Sequence, residues 1–243
     1  MENKERFFEK RNIFLMLNLA LTILIIVGDC LYMNIGTLAM KSVTSALFVL
    51  LGILNLVYLI LERKEKKDFL FPSIMLTGLV FAMLGDIILE VEFIVGAALF
   101  AIGHVFYFVA YCFLQKFKWS DLIYGVVILV PSVLLITLAP FFDFGGVLME
   151  IVCVVYAIII SLMVGKAVAN FVRERNWLNL LIVIGSILFF FSDLMLLLNV
   201  FASLSSVVGT LCLATYYPAE ILLACSIFVF ANSYRKEEAK LDN

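Results

Sequence analysis

Eight ionisable side chains stand inside, or at the mouths of, runs of residues that are otherwise apolar: Asp29, Lys41, Asp86, Glu90, His104, Glu150, Asp193 and Glu220. A charged group at membrane depth costs a few kcal/mol on insertion scales, so each of these is a functional candidate. Two of them stand in the most hostile surroundings. Asp86 follows Ala82-Met83-Leu84, and Asp193 follows Phe189-Phe190-Phe191. An ionised carboxylate there needs a partner or water. Two carboxylates in different environments can also divide the work of proton donor and anion between them, as paired carboxylates do in glycoside hydrolysis.

The two aspartates share a sequence frame. Gly78 stands eight residues before Asp86 and Gly185 eight before Asp193; Gly85 and Ser192 precede the two acids directly, and Leu89 and Leu196 follow three later. The frame predicts an internal repeat of two helix pairs around a common centre. Between the aspartates, Gly103-His104 is followed by Tyr107 and Tyr111 at helical spacing, on one face. Tyr156 is a polar tip in another apolar run, and Tyr216-Tyr217-Pro218-Ala219-Glu220 places a helix-kinking proline one residue after two tyrosines and two before an acid. One histidine cannot make a His-rich site, and neither a zincin spacing nor a Gly-x-Ser-x-Gly elbow is present. The expected chemistry therefore uses carboxylates, with no metal and no cofactor.

The elements that carry these residues are membrane helices. The chain is 65% hydrophobic and 15% charged, with a mean hydropathy of +1.14, far from the roughly half apolar and quarter charged composition of a soluble domain. Apolar runs long enough to cross a bilayer lie at Ile13–Leu31, Ser42–Leu61, Leu70–Leu89, Ile94–Leu114, Leu122–Phe142, Val147–Lys166, Leu178–Leu197 and Val208–Ala231. The fold expected is an all-α polytopic bundle of eight transmembrane helices in one domain, 1–243, with short charged ends at 1–12 and 233–243. Of the 17 basic residues, all but Lys41 fall in the two termini and in the loops after the second, fourth and sixth runs, among them Arg63, Lys64, Lys66, Lys67 and Lys166. The positive-inside rule then puts both termini in the cytoplasm of a multi-pass cell-membrane protein. In that orientation the buried acids gather in the outer half of the membrane and at its midplane, with none in the inner half. The five cysteines lack any CxxC pair and read as small buried hydrophobes. A net charge of −2 leaves no footprint for nucleic acid.

In this order and spacing the blocks Phe81–Leu89, Gly96–Phe100, Gly103–Tyr107, Gly185 with Phe189–Asp193, and Tyr216–Glu220 resemble the YhhN-like lysoplasmalogenase family of integral membrane proteins. The resemblance spans the second to the eighth helix. It departs in two places: the family usually has Lys-Pro where this chain has Lys41-Ser42, and commonly has Gln where Glu220 stands. It implies hydrolysis of the vinyl ether of a lysoplasmalogen, with Asp86 and Asp193 catalytic. Lys41, positioned at a helix mouth, is expected to meet the phosphodiester as a point charge. Asp29, His104, Tyr107, Tyr156, Ser192, Tyr216, Tyr217 and Glu220 complete the expected substrate site. The implied partners are a lysophospholipid and the bilayer. A proton- or cation-coupled transporter is the alternative, since it too uses intramembrane acids, pseudo-repeats and a proline-broken helix; a non-catalytic scaffold leaves the acids unexplained.

Overall fold

A computed structural model describes residues 2–62, 69–202 and 204–241, with side chains from 10 to 233 within those stretches. The basic cluster Arg63, Lys64, Lys66 and Lys67 lies outside the described residues. Eight helices run in sequence: α1 (Glu2–Ile35), α2 (Leu38–Glu62), α3 (Leu70–Leu89), α4 (Phe93–Leu114), α5 (Asp121–Leu138), α6 (Val147–Arg173), α7 (Trp177–Phe201) and α8 (Ser206–Leu241). All eight are long and apolar enough to span a membrane, and the described residues contain no strand. With an even number of crossings, both termini lie on one face, called here the terminal face.

Helix contacts arrange α2, α3, α4, α6, α7 and α8 as a closed ring, each against the next and α8 against α2, with α3 also touching α8. α1 leans on α2 and α8 from outside, and α5 packs on α6 alone. α4 and α7 face each other across the ring without close backbone approach. That gap is where the cavities form.

Small residues set the tight crossings. A Cβ on Gly103 would lie 3.3 Å from the Gly78 carbonyl, and one on Gly185 3.2 Å from that of Ala219. The α3–α4 and α7–α8 pairs thus cross at corresponding places, Gly78 on Gly103 and Gly185 on Ala219. The shared frame of the sequence is a shared packing, and it brings His104 and Glu220 to equivalent positions. Buried amides tie the outer helix in: Asn18 Nδ2 donates to Asn55 Oδ1 (2.7 Å), and Asn55 Nδ2 to the Ala224 carbonyl (3.0 Å).

Three expectations from sequence are corrected. α5 ends at Leu138 rather than Phe142, because Pro140 forces the residue before it out of helical geometry; Ala139 has ψ 121°. α6 runs on past Lys166 to Arg173. Lys166 is therefore no loop residue: it is buried, and its ammonium lies 2.9 Å from Asp121 Oδ2, whose other oxygen meets Arg173. The half of the bundle nearest the terminal face consequently does contain buried charge, compensated within one cluster. Finally, among the cysteines only Cys153 is buried, while Cys30 is exposed because α1 stands outside the ring.

Candidate functional site

Asp86 is the hub of a polar cluster near the face opposite the termini. α3 carries it one turn before Glu90, on the side turned towards α2 and α8, and it is 3% exposed. Lys41 Nζ, at the start of α2, lies 3.0 Å from Asp86 Oδ1 and 2.7 Å from Glu90 Oε1. One turn along α2 from Lys41, Ser45 donates its hydroxyl to Asp86 Oδ2, and Tyr217 of α8 donates to the same oxygen at 3.2 Å. Tyr32 of α1 donates to Glu90 Oε1 at 3.0 Å, and its ring lies 5.5 Å from the Lys41 ammonium. Four helices thus converge on one cation between two carboxylates.

Glu90 lies just past the end of the α3 span, with its side chain 42% exposed. Partial burial pushes its carboxyl up, but the hydrogen bond and charge of Lys41, with the Tyr32 hydroxyl, outweigh that and hold it below the ordinary glutamate range. A depressed folded-state value adds stability that is present at neutral pH and lost as pH falls through that value. Glu90→Gln should therefore lower the unfolding temperature in detergent at pH 7, and the difference from wild type should shrink below about pH 4, where the unfolded carboxyl also protonates. An equal difference at both pH values would remove the ion pair as its cause.

Asp193 stands across the ring on α7, its side chain 12% exposed. Tyr156 of α6 donates to Asp193 Oδ2 at 2.7 Å. His104 Nε2 lies 3.1 Å from that oxygen and 2.8 Å from the Tyr156 hydroxyl. The histidine is completely buried, edge-on to Phe189 at 4.6 Å, and its Nδ1 has no partner among the described residues. This triangle contains one carboxylate and no lysine or arginine.

Two cavities meet at Asp193. One, called the polar cavity here for the charged groups it holds, spans about 690 Å³ with its open mouth; Tyr32, Lys41, Asp86, Glu90, Ser192, Asp193, Asn199, Cys212 and Tyr216 line it among apolar residues such as Leu213. The other, about 740 Å³, is apolar and runs between α4, α5, α6 and α7; its only acid is Asp193, next to Tyr156. Leu89, Phe100, Asp193 and Leu196 belong to both walls. At the end away from the termini, the apolar cavity is capped by a chain of ring contacts: Phe93 edge-on to Phe201, Phe201 tilted against Phe144, and Phe144 stacked on Phe142, with centroids 5.0–5.4 Å apart.

The sequence-predicted residues therefore divide. Asp86, Asp193, Lys41, Ser192 and Tyr216 line the polar cavity, and Tyr156 the apolar one. Tyr217 reaches Asp86 from behind. His104 is not a wall residue of either cavity and acts only through Asp193 and Tyr156. Tyr107 and Glu220 also sit behind the walls, bonded to each other at 2.8 Å, with Glu220 Oε1 unpartnered among the described residues. Asp29 lines neither cavity; it is 5% exposed, and its Oδ1 has no hydrogen-bond partner among the described residues. Tyr32 and Ser45 escape a reading for intramembrane charge because they are uncharged; Glu90 is one of the ionisable candidates but has no place in the expected site. A signal for Ser45 exists, because it follows Lys41 by one helical turn.

The sequence pattern that defines the YhhN family matches residues 44–227, from α2 into α8, and so covers both aspartates and every wall of the two cavities except the segments around Tyr32 and Lys41. No curated protein and no solved structure matches the chain.

Proposed function

The chain belongs to the YhhN family, and from that premise we propose that it is a membrane-embedded hydrolase that cleaves the vinyl ether bond of lysoplasmalogens to a fatty aldehyde and a glycerophospho-head group. One observation carries this reading: Asp193 sits where a polar cavity holding Asp86 opens into an apolar one. A single-chain lipid with a polar head has that shape, and its vinyl ether stands where the two parts join.

The reaction adds a proton to the alkene carbon distal to the ether oxygen, which leaves an oxocarbenium ion at the other. Water adds to that ion, and the hemiacetal falls apart to aldehyde and alcohol. In this scheme Asp193, with Tyr156 and His104 around one oxygen, delivers the proton. Asp86, whose charge the protein already balances with Lys41, is the anion that stabilises the cation and receives a proton from water. Asp86 thus gains from water a proton for the one Asp193 gave up, and transfer of that proton from Asp86 back to Asp193 through the cavity they share restores the starting state, so no external acid is consumed. Proton transfer of this kind contributes about 10²–10⁴-fold, and a fixed anion facing a developing cation supplies a further electrostatic share.

The transporter reading needs a charged route through the other half of the bundle. The buried charges there, Asp121 and Lys166, pair with each other at the α5–α6 contact, with the half-buried Arg173 also on Asp121, and none of the three lines either cavity. The enzyme reading is the better supported. Purified protein incubated with a mixture of lysolipids should release long-chain aldehyde from vinyl ether lipids and leave acyl and alkyl lysolipids intact, as read by mass spectrometry. Absence of aldehyde from any vinyl ether lipid, with a pH gradient dissipated in proteoliposomes, would replace the hydrolase by the transporter.

We place the protein in the cell membrane with both termini in the cytoplasm. A reporter fused after Asn243 should be active in the cytoplasm, and a cysteine at Asp143, in the exposed loop between α5 and α6, should react with an impermeant thiol reagent from outside. Outside labelling at Lys66 instead would invert the site.

A further inference from the structure

α5 differs from every other helix in how it is held. It touches only α6, although it supplies Ser132, Leu135 and Ile136 to the wall of the apolar cavity. It is also the least buried of the eight spans. Its end near the terminal face is clamped: Asp121 binds the Lys166 ammonium and Arg173 and accepts from the Lys118 amide. A turn further on, Gly125 and Gly165 meet backbone to backbone, with no room for a Cβ on Gly165. Beyond that crossing the contact changes character. Pro131 stands inside the helix and leaves the Val127 carbonyl without its usual donor, a soft point at the depth of the cavity.

At its far end α5 packs Ile136 into a small apolar cluster with Cys153, Ala157 and Phe201, and the loop that follows is pinned to the end of α7. Asp143 N–H donates to the Phe201 carbonyl at 2.8 Å, and the Phe144 ring rests on that of Phe201. Gly145 and Gly146 follow at φ +65° and +154°, conformations that glycine adopts without strain. The same aromatic rings cover the end of the apolar cavity on that side, where Phe93 and Phe201 line it. The seams beside α5, towards α4 and α7, are where the wall has no helix–helix contact.

We propose that α5 is a lateral gate, clamped at Asp121 and latched at Asp143–Phe201, through which the hydrocarbon chain of a single-chain lipid passes directly between the bilayer and the apolar cavity. The occupant is a chain rather than a polar solute because the seam lies at membrane depth and Asp193 is the only acid on the wall behind it. The identity of the lipid rests on the hydrolase reading; the route does not.

The test staples the latch. Asp143→Cys with Ala202→Cys places two thiols beside the 143–201 backbone bond, at positions that line neither cavity. The reduced protein should turn over long-chain lysoplasmalogen in membranes like wild type. Oxidation should cut that rate roughly tenfold or more, because passage through the gate then limits turnover, and a reducing agent should restore it. A short-chain, water-soluble vinyl ether analogue should be hydrolysed equally in both states. Unchanged long-chain turnover in the oxidised protein would overturn the gate. No aldehyde from either substrate would overturn the hydrolase reading instead, and the route is then read separately. An alkyl lysolipid carrying a diazirine near its chain end should photolabel the 132–136 and 152–157 segments in wild type; label confined to α1 and α2 would equally overturn the gate.

Discussion

Aldehyde release should fall by at least ~10²-fold when Asp193 is replaced by Asn, with the protein still folded and abundant in membranes. The substitution keeps the size and the polar tip of the side chain, so the Tyr156 hydroxyl and the His104 ring retain a partner at the junction of the two cavities. What disappears is the transferable proton. Asp86→Asn should cause a loss of similar size for a different reason: the cation formed on the substrate then faces an amide, beside a Lys41 ammonium whose charge is no longer balanced on that side. Because the two carboxyl groups act on one proton cycle, the double variant should lose little beyond the worse single one. His104→Gln, one step removed, should lower the rate less than Asp193→Asn and change its pH profile, as expected of a positioning residue. Normal hydrolysis by both Asn variants would remove the mechanism from these residues. Full additivity in the double variant would mean that they act independently.

The fold was legible because lipid makes simple demands. Every backbone polar group must be satisfied within its own segment, so long apolar runs could only be helices, and their number and order follow from counting. The two aspartates were legible for the complementary reason that a carboxylate among Phe189, Phe190 and Phe191 has no bland explanation. The packing of α3 on α4 and of α7 on α8 showed itself as Gly78 and Gly185 at one spacing, since the observed crossings leave little room for a Cβ. What sequence could not show is how helices distant in the chain turn towards each other. Lys166 and Asp121 lie 45 residues apart, and counting basic residues by loop assigned the lysine to water. Glu220 and Tyr107 read as site residues because they are polar, but rotation of α8 and α4 in the ring puts them behind the wall. Lys41 read as a free charge because its two carboxylate partners are 45 and 49 residues further on, in α3 and just past its end.

That last difference changes what Lys41 should do when it is removed. A free rim lysine meeting a phosphodiester would contribute equally to ground and transition states, so its loss would raise KM and leave kcat and stability alone. The Lys41 of this structure is 4% exposed and lies between Asp86 and Glu90. Removing one partner of a buried ion pair leaves the other uncompensated and costs about 3–5 kcal/mol. Lys41→Met should therefore lower the unfolding temperature in detergent far more than a surface substitution would, and should depress kcat, because Asp86 loses the cation that fixes its charge and orientation. Adding Asp86→Asn to Lys41→Met removes the stranded carboxylate, so the double variant should recover much of the lost stability while remaining inactive. Recovery of stability without activity is the signature of a pair that the fold must hold together for its chemistry. A Lys41→Met protein as stable as wild type, with only a raised KM, would return the lysine to the phosphate.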